Sequence, residues 1–237
     1  HMIHALGPIR PLVECTFIFI RLLFHAILGV VIVKGGLPNT GTYRYGSNIR
    51  YTLQRVTGMI AFVFILWHVL HMHGWFHFDV WMKNVVYPLG GGKFHPYNAT
   101  SSAAAAMQAS GIVPVLYAIG VISIVFHLAN GIWTMGITWG VWTSVPAQRW
   151  ALAVCGVFGV ALGLVGLGAI GGLLRINPAA AWQEENEFYE KKVEIGDLTP
   201  NEHKRWHEGP AAEGPAEGTP AAAAGNPPEP EAPTGGS

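Results

Sequence analysis

Four long apolar segments constrain this sequence more than any other feature. They cover roughly residues 12–33, 56–78, 112–139 and 150–174. A helix that crosses a bilayer needs about 20 mostly apolar residues, and each segment reaches that length. The segments are too long and too uniformly apolar for the core of a small soluble domain. The sequence therefore predicts an all-α membrane protein, a bundle of four transmembrane helices.

Acidic residues divide the chain into two unlike parts. Of the 14 Asp and Glu residues, 2 lie in residues 1–175 and 12 lie in residues 176–237. The second part is rich in Pro, Ala and Gly, and such a composition buries too little apolar surface to become ordered. We predict a transmembrane bundle over residues 1–175 and an acidic, mostly disordered tail over residues 176–237, with at most a short surface helix in WQEENEFYEKKVEIGDL.

Basic residues predict how the bundle is oriented. The loops between segments one and two and between segments three and four carry no acid, and their basic residues are Lys34, Arg44, Arg50, Arg55 and Arg149. By the positive-inside rule these two loops are cytoplasmic, and the tail lies outside. The loop between segments two and three (residues 79–111) is also outside. It contains the stretches GGGK and SSAAAA, which we interpret as flexible.

Three apolar segments each contain one histidine near their middle: His25, His68 and His127. Ionisable residues inside a membrane are rare and usually functional, although a lone histidine can simply form an interhelical hydrogen bond. A rise of about 1.5 Å per residue places His25 and His127 at about the same depth, and His68 about 8–12 Å farther out. A haem with two histidine ligands requires such a matched pair. The sequence predicts one complete site at His25 and His127, with His68 in a second layer.

Residues near these histidines suggest supporting roles. Gly29 and Gly131 each follow a histidine by four residues and leave room for a flat macrocycle, or serve ordinary helix packing. Arg21 lies one turn before His25 and needs an anionic partner, a haem propionate or Glu14, unless it extends to the outer surface. Glu14 is also a candidate proton acceptor for a quinone.

The two cysteines, Cys15 and Cys155, limit the cofactor chemistry. They lie far apart in apolar segments, and the sequence has no C-x-x-C pair. Iron–sulfur and zinc-ribbon sites therefore lack ligands within this chain. The motif C-x-x-C-H is absent as well, so a haem here would not be covalently attached.

Three motifs resemble one family. LLFHAILG, RYTLQRVTGMIAFVFILWHVLH and FHLANGIWTMGITWG, in this order, are similar to the cytochrome b558 subunit of succinate dehydrogenase, a single-chain, di-haem membrane anchor. The similarity covers nearly all of residues 1–175, whereas the acidic tail has no counterpart. The family has five membrane helices, and the resemblance places His25, His68 and His127 on its second, third and fourth. The family's first helix, which carries the partner of His68, is not matched, so we expect an N-terminally incomplete sequence with one complete haem b site and a second half-site.

The resemblance also implies a function. Family members lie in the bacterial cytoplasmic (inner) membrane, bind a flavoprotein and an iron–sulfur protein on the cytoplasmic side, and pass electrons from succinate to a quinone, commonly menaquinone. This chain would supply electron transfer and quinone chemistry, not dicarboxylate chemistry, and would bind no nucleic acid.

Alternative functions remain open from the sequence. A fumarate reductase anchor has the same architecture and runs in the reverse direction, and other cytochromes b with two histidine ligands anchor formate dehydrogenases or hydrogenases. A non-enzymatic alternative is a transporter or a haem-free scaffold whose histidines are only hydrogen-bonded.

Overall fold

The computed structural model describes residue 13 and residues 15–36 and 39–210. Six helices of eight residues or more account for most of this part of the chain, which contains no β-strand. Four of them are long and apolar enough to cross a membrane. The predicted fold class, an all-α membrane bundle, is confirmed.

The helices are numbered here in chain order. They are α1 (Ile20–Gly35, preceded by a π-helical turn at Cys15–Phe19), α2 (Gly46–Met72), α3 (Ala99–Gln108), α4 (Ile112–Thr138), α5 (Val145–Leu173) and α6 (Pro178–Glu194). Short helical turns occupy Asp79–Trp81, Met82–Val86, Pro96–Asn98 and Glu202–Lys204. The membrane-spanning helices are α1, α2, α4 and α5.

Helix α4 is the centre of the bundle, because it packs against both α2 and α5. Glycines allow the close approach of α5: a Cβ added at Gly159 would lie 3.1 Å from the Cβ of Ala129, and one added at Gly166 would lie 2.7 Å from Val121. Helix α1 packs against α2, where the Arg55 guanidinium donates a 2.7 Å hydrogen bond to the carbonyl of Gly36. None of the residues of α1 is buried.

The observed bounds of α2 differ from the predicted segment. The helix begins at Gly46 and ends at Met72, whereas the apolar segment covers residues 56–78. Its first turns are polar, and hydropathy marks the part of a helix inside the membrane rather than the helix ends. The end is set by Gly74, whose φ of 81° breaks the helix while its N–H still bonds to the carbonyls of Val69 and Leu70.

Residues 73–111 and 176–210, here called the cap, lie together at one end of the bundle. The interpretation of GGGK and SSAAAA as flexible is wrong. The N–H groups of Gly92 and Lys93 bond to the last carbonyls of α2, and SSAAAA forms most of α3. Alanine favours a helix, and small side chains let α3 bury much of its length, including Ser101, Ser102 and Met107.

Residues 176–210 contain more helix than the short surface helix that the sequence predicts. Helix α6 begins at an N-cap, Asn177, whose side chain accepts hydrogen bonds from the N–H groups of Ala179 and Ala180. It packs on α3, and Trp182 donates to the carbonyl of Trp206 at 2.8 Å. Residues 211–237, the Pro/Ala/Gly-rich part of the predicted tail, lie outside the described residues.

Candidate functional site

The structure brings two of the predicted ligands together. His25 on α1 and His127 on α4 have ring centroids 6.1 Å apart, with an angle of 78° between the ring planes. His25 is exposed on the side of α1, whereas His127 is half-buried between α4 and α2. The pair joins the outermost membrane helix to the central one.

A backbone hydrogen bond defines which nitrogen of His127 is available. Its Nδ1 lies 3.0 Å from the carbonyl oxygen of Gln54 on α2. A carbonyl can only accept, so Nδ1 carries a proton, and in the neutral tautomer Nε2 keeps its lone pair. Partners of this kind are known to orient histidines that bind metals. The free nitrogen of His127 is therefore Nε2, the atom through which it could bind a metal.

The side chain of Gln54 strengthens this arrangement. Its Nε2 donates to the carbonyl of His127 at 3.1 Å, and its Oε1 accepts from Asn130 at 2.8 Å. Gly58 lies one turn farther along α2, and a Cβ there would lie 2.7 Å from Cε1 of His127. The position of the imidazole thus depends on the absence of a side chain at Gly58.

The spacing of His25 and His127 fits an iron with two histidine ligands. Metal–nitrogen bonds of about 2.0 Å, plus about 1.1 Å from each nitrogen to its ring centroid, place two such centroids about 6.2 Å apart. The observed separation is 6.1 Å. Two imidazoles on two membrane helices are also a donor set that haem b uses. The residues present therefore fit this cofactor.

The two glycines predicted to make room for a macrocycle face different surroundings. A Cβ at Gly29 would meet nothing within 4 Å, so the surface of α1 beside His25 is open. A Cβ at Gly131 would lie 3.4 Å from Nε2 of Gln54, so this glycine faces α2. Their role in haem binding stays a prediction.

The Arg21 guanidinium lies 5.1 Å from the centroid of the Phe17 ring, a cation–π contact on an exposed stretch of α1. Glu14, the alternative partner and candidate quinone residue, lies outside the described residues.

The third predicted ligand, His68, is far from this pair. It follows Gly58, where an added Cβ would contact His127, by 10 residues in α2, which is about 15 Å along the helix axis. The structure therefore separates the two layers by somewhat more than the predicted 8–12 Å. Nδ1 of His68 lies 3.1 Å from the hydroxyl of Tyr117 on α4, and its ring stacks on Phe64 at 5.8 Å.

His71 also belongs to this second layer. His71 is only 7% exposed, and its Nδ1 lies 3.0 Å from the same Tyr117 hydroxyl. Its ring stacks on Trp67 with a centroid distance of 4.9 Å and an interplanar angle of 12°. Across the described residues, no group of three or more His, Cys, Asp or Glu side chains is arranged to hold a metal ion.

Sequence analysis missed Gln54, Gly58, Asn130 and Tyr117. Gln54 and Asn130 could have been identified from the sequence, because they are polar residues beside or inside an apolar segment. Buried polar groups in membranes need partners. Gly58 and Tyr117 gave no such signal, since their importance depends on how α2 and α4 are rotated toward each other.

Comparison with known proteins identifies the family. The chain is 34% identical over 163 residues to the succinate dehydrogenase cytochrome b558 subunit of Bacillus subtilis (strain 168), a match that covers 69% of this chain and 72% of the relative. No protein-family model and no solved structure matches the chain. This similarity extends over most of both proteins, and the chain belongs to the family of succinate dehydrogenase cytochrome b558 subunits.

Proposed function

We propose that this chain is the membrane-anchor cytochrome b of a succinate:quinone oxidoreductase, and that it binds haem b and delivers electrons to a membrane quinone, menaquinone in particular. The observation that carries the proposal is the pair His25 and His127, whose centroids lie 6.1 Å apart on two membrane-spanning helices. Haem b, when bound, supplies a one-electron redox centre inside the bilayer.

Different residues of this chain would bind different parts of haem b. His25 and His127 would hold the haem iron through ring nitrogens, and the carbonyl of Gln54 keeps His127 in the tautomer that presents Nε2. Arg21 is the proposed partner of a propionate, because an arginine on a membrane helix needs an anion or a route to the surface. Open space beside Gly29 supports room for the macrocycle. His68 is the proposed ligand of a second haem.

Basic residues support the proposed orientation and partners. Lys34, Arg50, Arg55 and Arg149 lie at the end of the bundle that carries the α1–α2 and α4–α5 connections, opposite the cap. The positive-inside rule makes this the cytoplasmic end in the bacterial inner membrane. Flavoprotein and iron–sulfur subunits would dock there, and the cap would lie outside. Glu14, near the outer end of the first apolar segment, is the proposed proton acceptor for the quinone.

A reduced-minus-oxidised optical spectrum tests the proposal. The purified chain should show haem b bands with about one tightly bound haem per chain, since His25 and His127 form one complete site. In membranes that contain the soluble subunits, succinate should reduce this haem. His77→Ala is a matched control, because His77 is an exposed histidine outside the membrane helices. Absence of haem bands would support the haem-free scaffold instead.

A further inference from the structure

One hydroxyl group lies between two histidines in the second layer. The Tyr117 oxygen is 3.1 Å from Nδ1 of His68 and 3.0 Å from Nδ1 of His71. Tyr117 is itself only 6% exposed. Aromatic stacking on Phe64 and Trp67 holds the two imidazole planes in place. The three polar groups form a closed hydrogen-bonded unit that joins α2 to α4.

Counting protons restricts the tautomers of the two histidines. A tyrosine hydroxyl has one proton to donate, and its oxygen can accept. If Tyr117 donates to one Nδ1, the other imidazole must donate its own Nδ1–H to Tyr117. One neutral ring therefore has its proton on Nδ1, and the other has it on Nε2. When the Tyr117 hydroxyl donates within this unit, His68 and His71 are therefore opposite tautomers.

We propose that Tyr117 is a positioning residue that holds His68 as the Nδ1–H tautomer and so presents its bare Nε2 to the iron of a second haem. The inference rests on the proposed haem-binding function. In this arrangement His68 donates to the Tyr117 oxygen, and Tyr117 donates to Nδ1 of His71. The opposite arrangement places a proton on Nε2 of His68, where a metal ligand needs a lone pair.

His71 has a specific role in this hydrogen-bonded unit. It is the acceptor that takes the hydroxyl proton of Tyr117 away from His68. If the acceptor is removed, the hydroxyl can donate to His68 instead, and His68 changes to the tautomer that cannot bind iron. An asparagine at position 71 can still accept through Oδ1, which occupies about the place of Nδ1 in histidine, whereas a leucine cannot.

Nitrogen NMR of the haem-free full chain in detergent tests the tautomers directly. With ¹⁵N-labelled histidine at a pH where imidazoles are neutral, protonated and bare ring nitrogens have well-separated shifts. The His68→Gln and His71→Asn variants assign the signals. We expect a protonated Nδ1 and bare Nε2 for His68, the reverse for His71, and loss of this preference in Tyr117→Phe. A protonated Nε2 on His68 in the wild-type chain, or an unchanged His68 in Tyr117→Phe, would overturn the proposal.

Haem titration provides the second test, with free imidazole added as a second nitrogen ligand beside His68. The haem-binding component that is lost in His68→Ala identifies the proposed second haem site. Tyr117→Phe and His71→Leu should each lower its affinity about 10- to 100-fold, as expected for a lost partner of a metal ligand. His71→Asn should restore it. The component that depends on His25 and His127 should stay unchanged in all of them, which shows that the bundle is folded.

The outcomes separate this inference from the proposed function. If His68→Ala loses no haem component, the proposed second haem site is wrong, and the NMR result still decides the role of Tyr117. If His68→Ala loses a component that Tyr117→Phe and His71→Leu retain, His68 is a ligand and Tyr117 does not position it.

Discussion

The cap and helix α1 lie in the same chain but are stabilised in different ways. In the cap, Asn98, Ser101 and Ser102 are at most 1% exposed, and the Glu185 carboxylate accepts hydrogen bonds from both Thr100 N and Ser101 N. In α1 no residue is buried, and large apolar side chains such as Phe24 (63% exposed) point outward. The cap provides internal hydrogen-bond partners for these three residues, whereas the Tyr189 hydroxyl and Oδ1 of Asn201 are buried there without one. Helix α1 instead presents apolar surface to lipid and a histidine to its neighbour, which suits an element held by a cofactor.

Among variants that test this difference between the cap and α1, Gly58→Ala is expected to have the largest effect, a loss of haem affinity. Gly58→Ala places a Cβ 2.7 Å from Cε1 of His127 and should push the ring away from the carbonyl of Gln54. We expect haem affinity at the His25–His127 site to fall about 10- to 100-fold, measured by haem titration of the purified chain. Gly156→Ala on α5 is the control, because a Cβ there meets nothing within 4 Å. Equal haem binding by both variants would show that the position of His127 is not critical.

A smaller effect, confined to the cap, is expected from Glu185→Gln. The carboxylate accepts from Thr100 N at 2.7 Å, Ser101 N at 3.2 Å and Ser101 Oγ at 2.6 Å, at the N-terminus of α3. Losing this charged interaction at the N-terminus of α3 should destabilise the cap by about 1–2 kcal/mol. Hydrogen exchange of the α3 amides should rise while haem content stays unchanged. Glu184→Gln, at an exposed neighbouring position, should change neither.

Two truncations test where the ordered part of the cap ends. Deleting residues 200–237 removes Trp206, whose carbonyl accepts from Trp182 and whose ring stacks on His95. This deletion should speed hydrogen exchange in α6 but leave haem content and quinone reduction intact. Deleting residues 211–237 alone should leave the exchange of α6 unchanged. Loss of haem in either truncated chain would mean that the cap and the haem site are not independent.

The smallest expected effect is a pH dependence of the cap. The His95 ring stacks on Trp206 at 5.8 Å with an interplanar angle of 3°. Burial lowers the pKa of His95 below its ordinary value of 6.5, and the charge of His207 lowers it further. The folded cap therefore binds fewer protons than the unfolded one, so its stability is complete above about pH 6.5 and falls as the pH drops below that value.

Thermal unfolding followed by tryptophan fluorescence between pH 5 and pH 8 checks this expectation. His95→Phe keeps an aromatic ring on Trp206 but cannot titrate, so the melting temperature of this variant should lose the acid-dependent decrease. An equal decrease in the wild type and in His95→Phe would assign the pH dependence to another group.

The membrane helices were predictable because hydropathy reports burial in lipid directly. All four spans were found, and helical rise alone placed His25 and His127 at one depth. What failed was the part that depends on contacts between distant segments. The composition of SSAAAA predicts a flexible stretch, but these residues form most of α3. The first turn of α3 is capped by Glu185, which lies 84 residues from Ser101 in the sequence. The link from His127 to Gln54, over 73 residues, depends on helix rotation, which periodicity in a uniformly apolar segment does not encode.

Paired replacement of His25 and His127 tests the central claim most directly. The claim is that these two imidazoles bind one iron between α1 and α4. His25→Ala and His127→Ala should each abolish the same low-spin haem component, followed by optical and electron paramagnetic resonance spectra, and the double variant should lose nothing further. Loss of two different components, or retention of the low-spin signal in either single variant, would contradict the pairing.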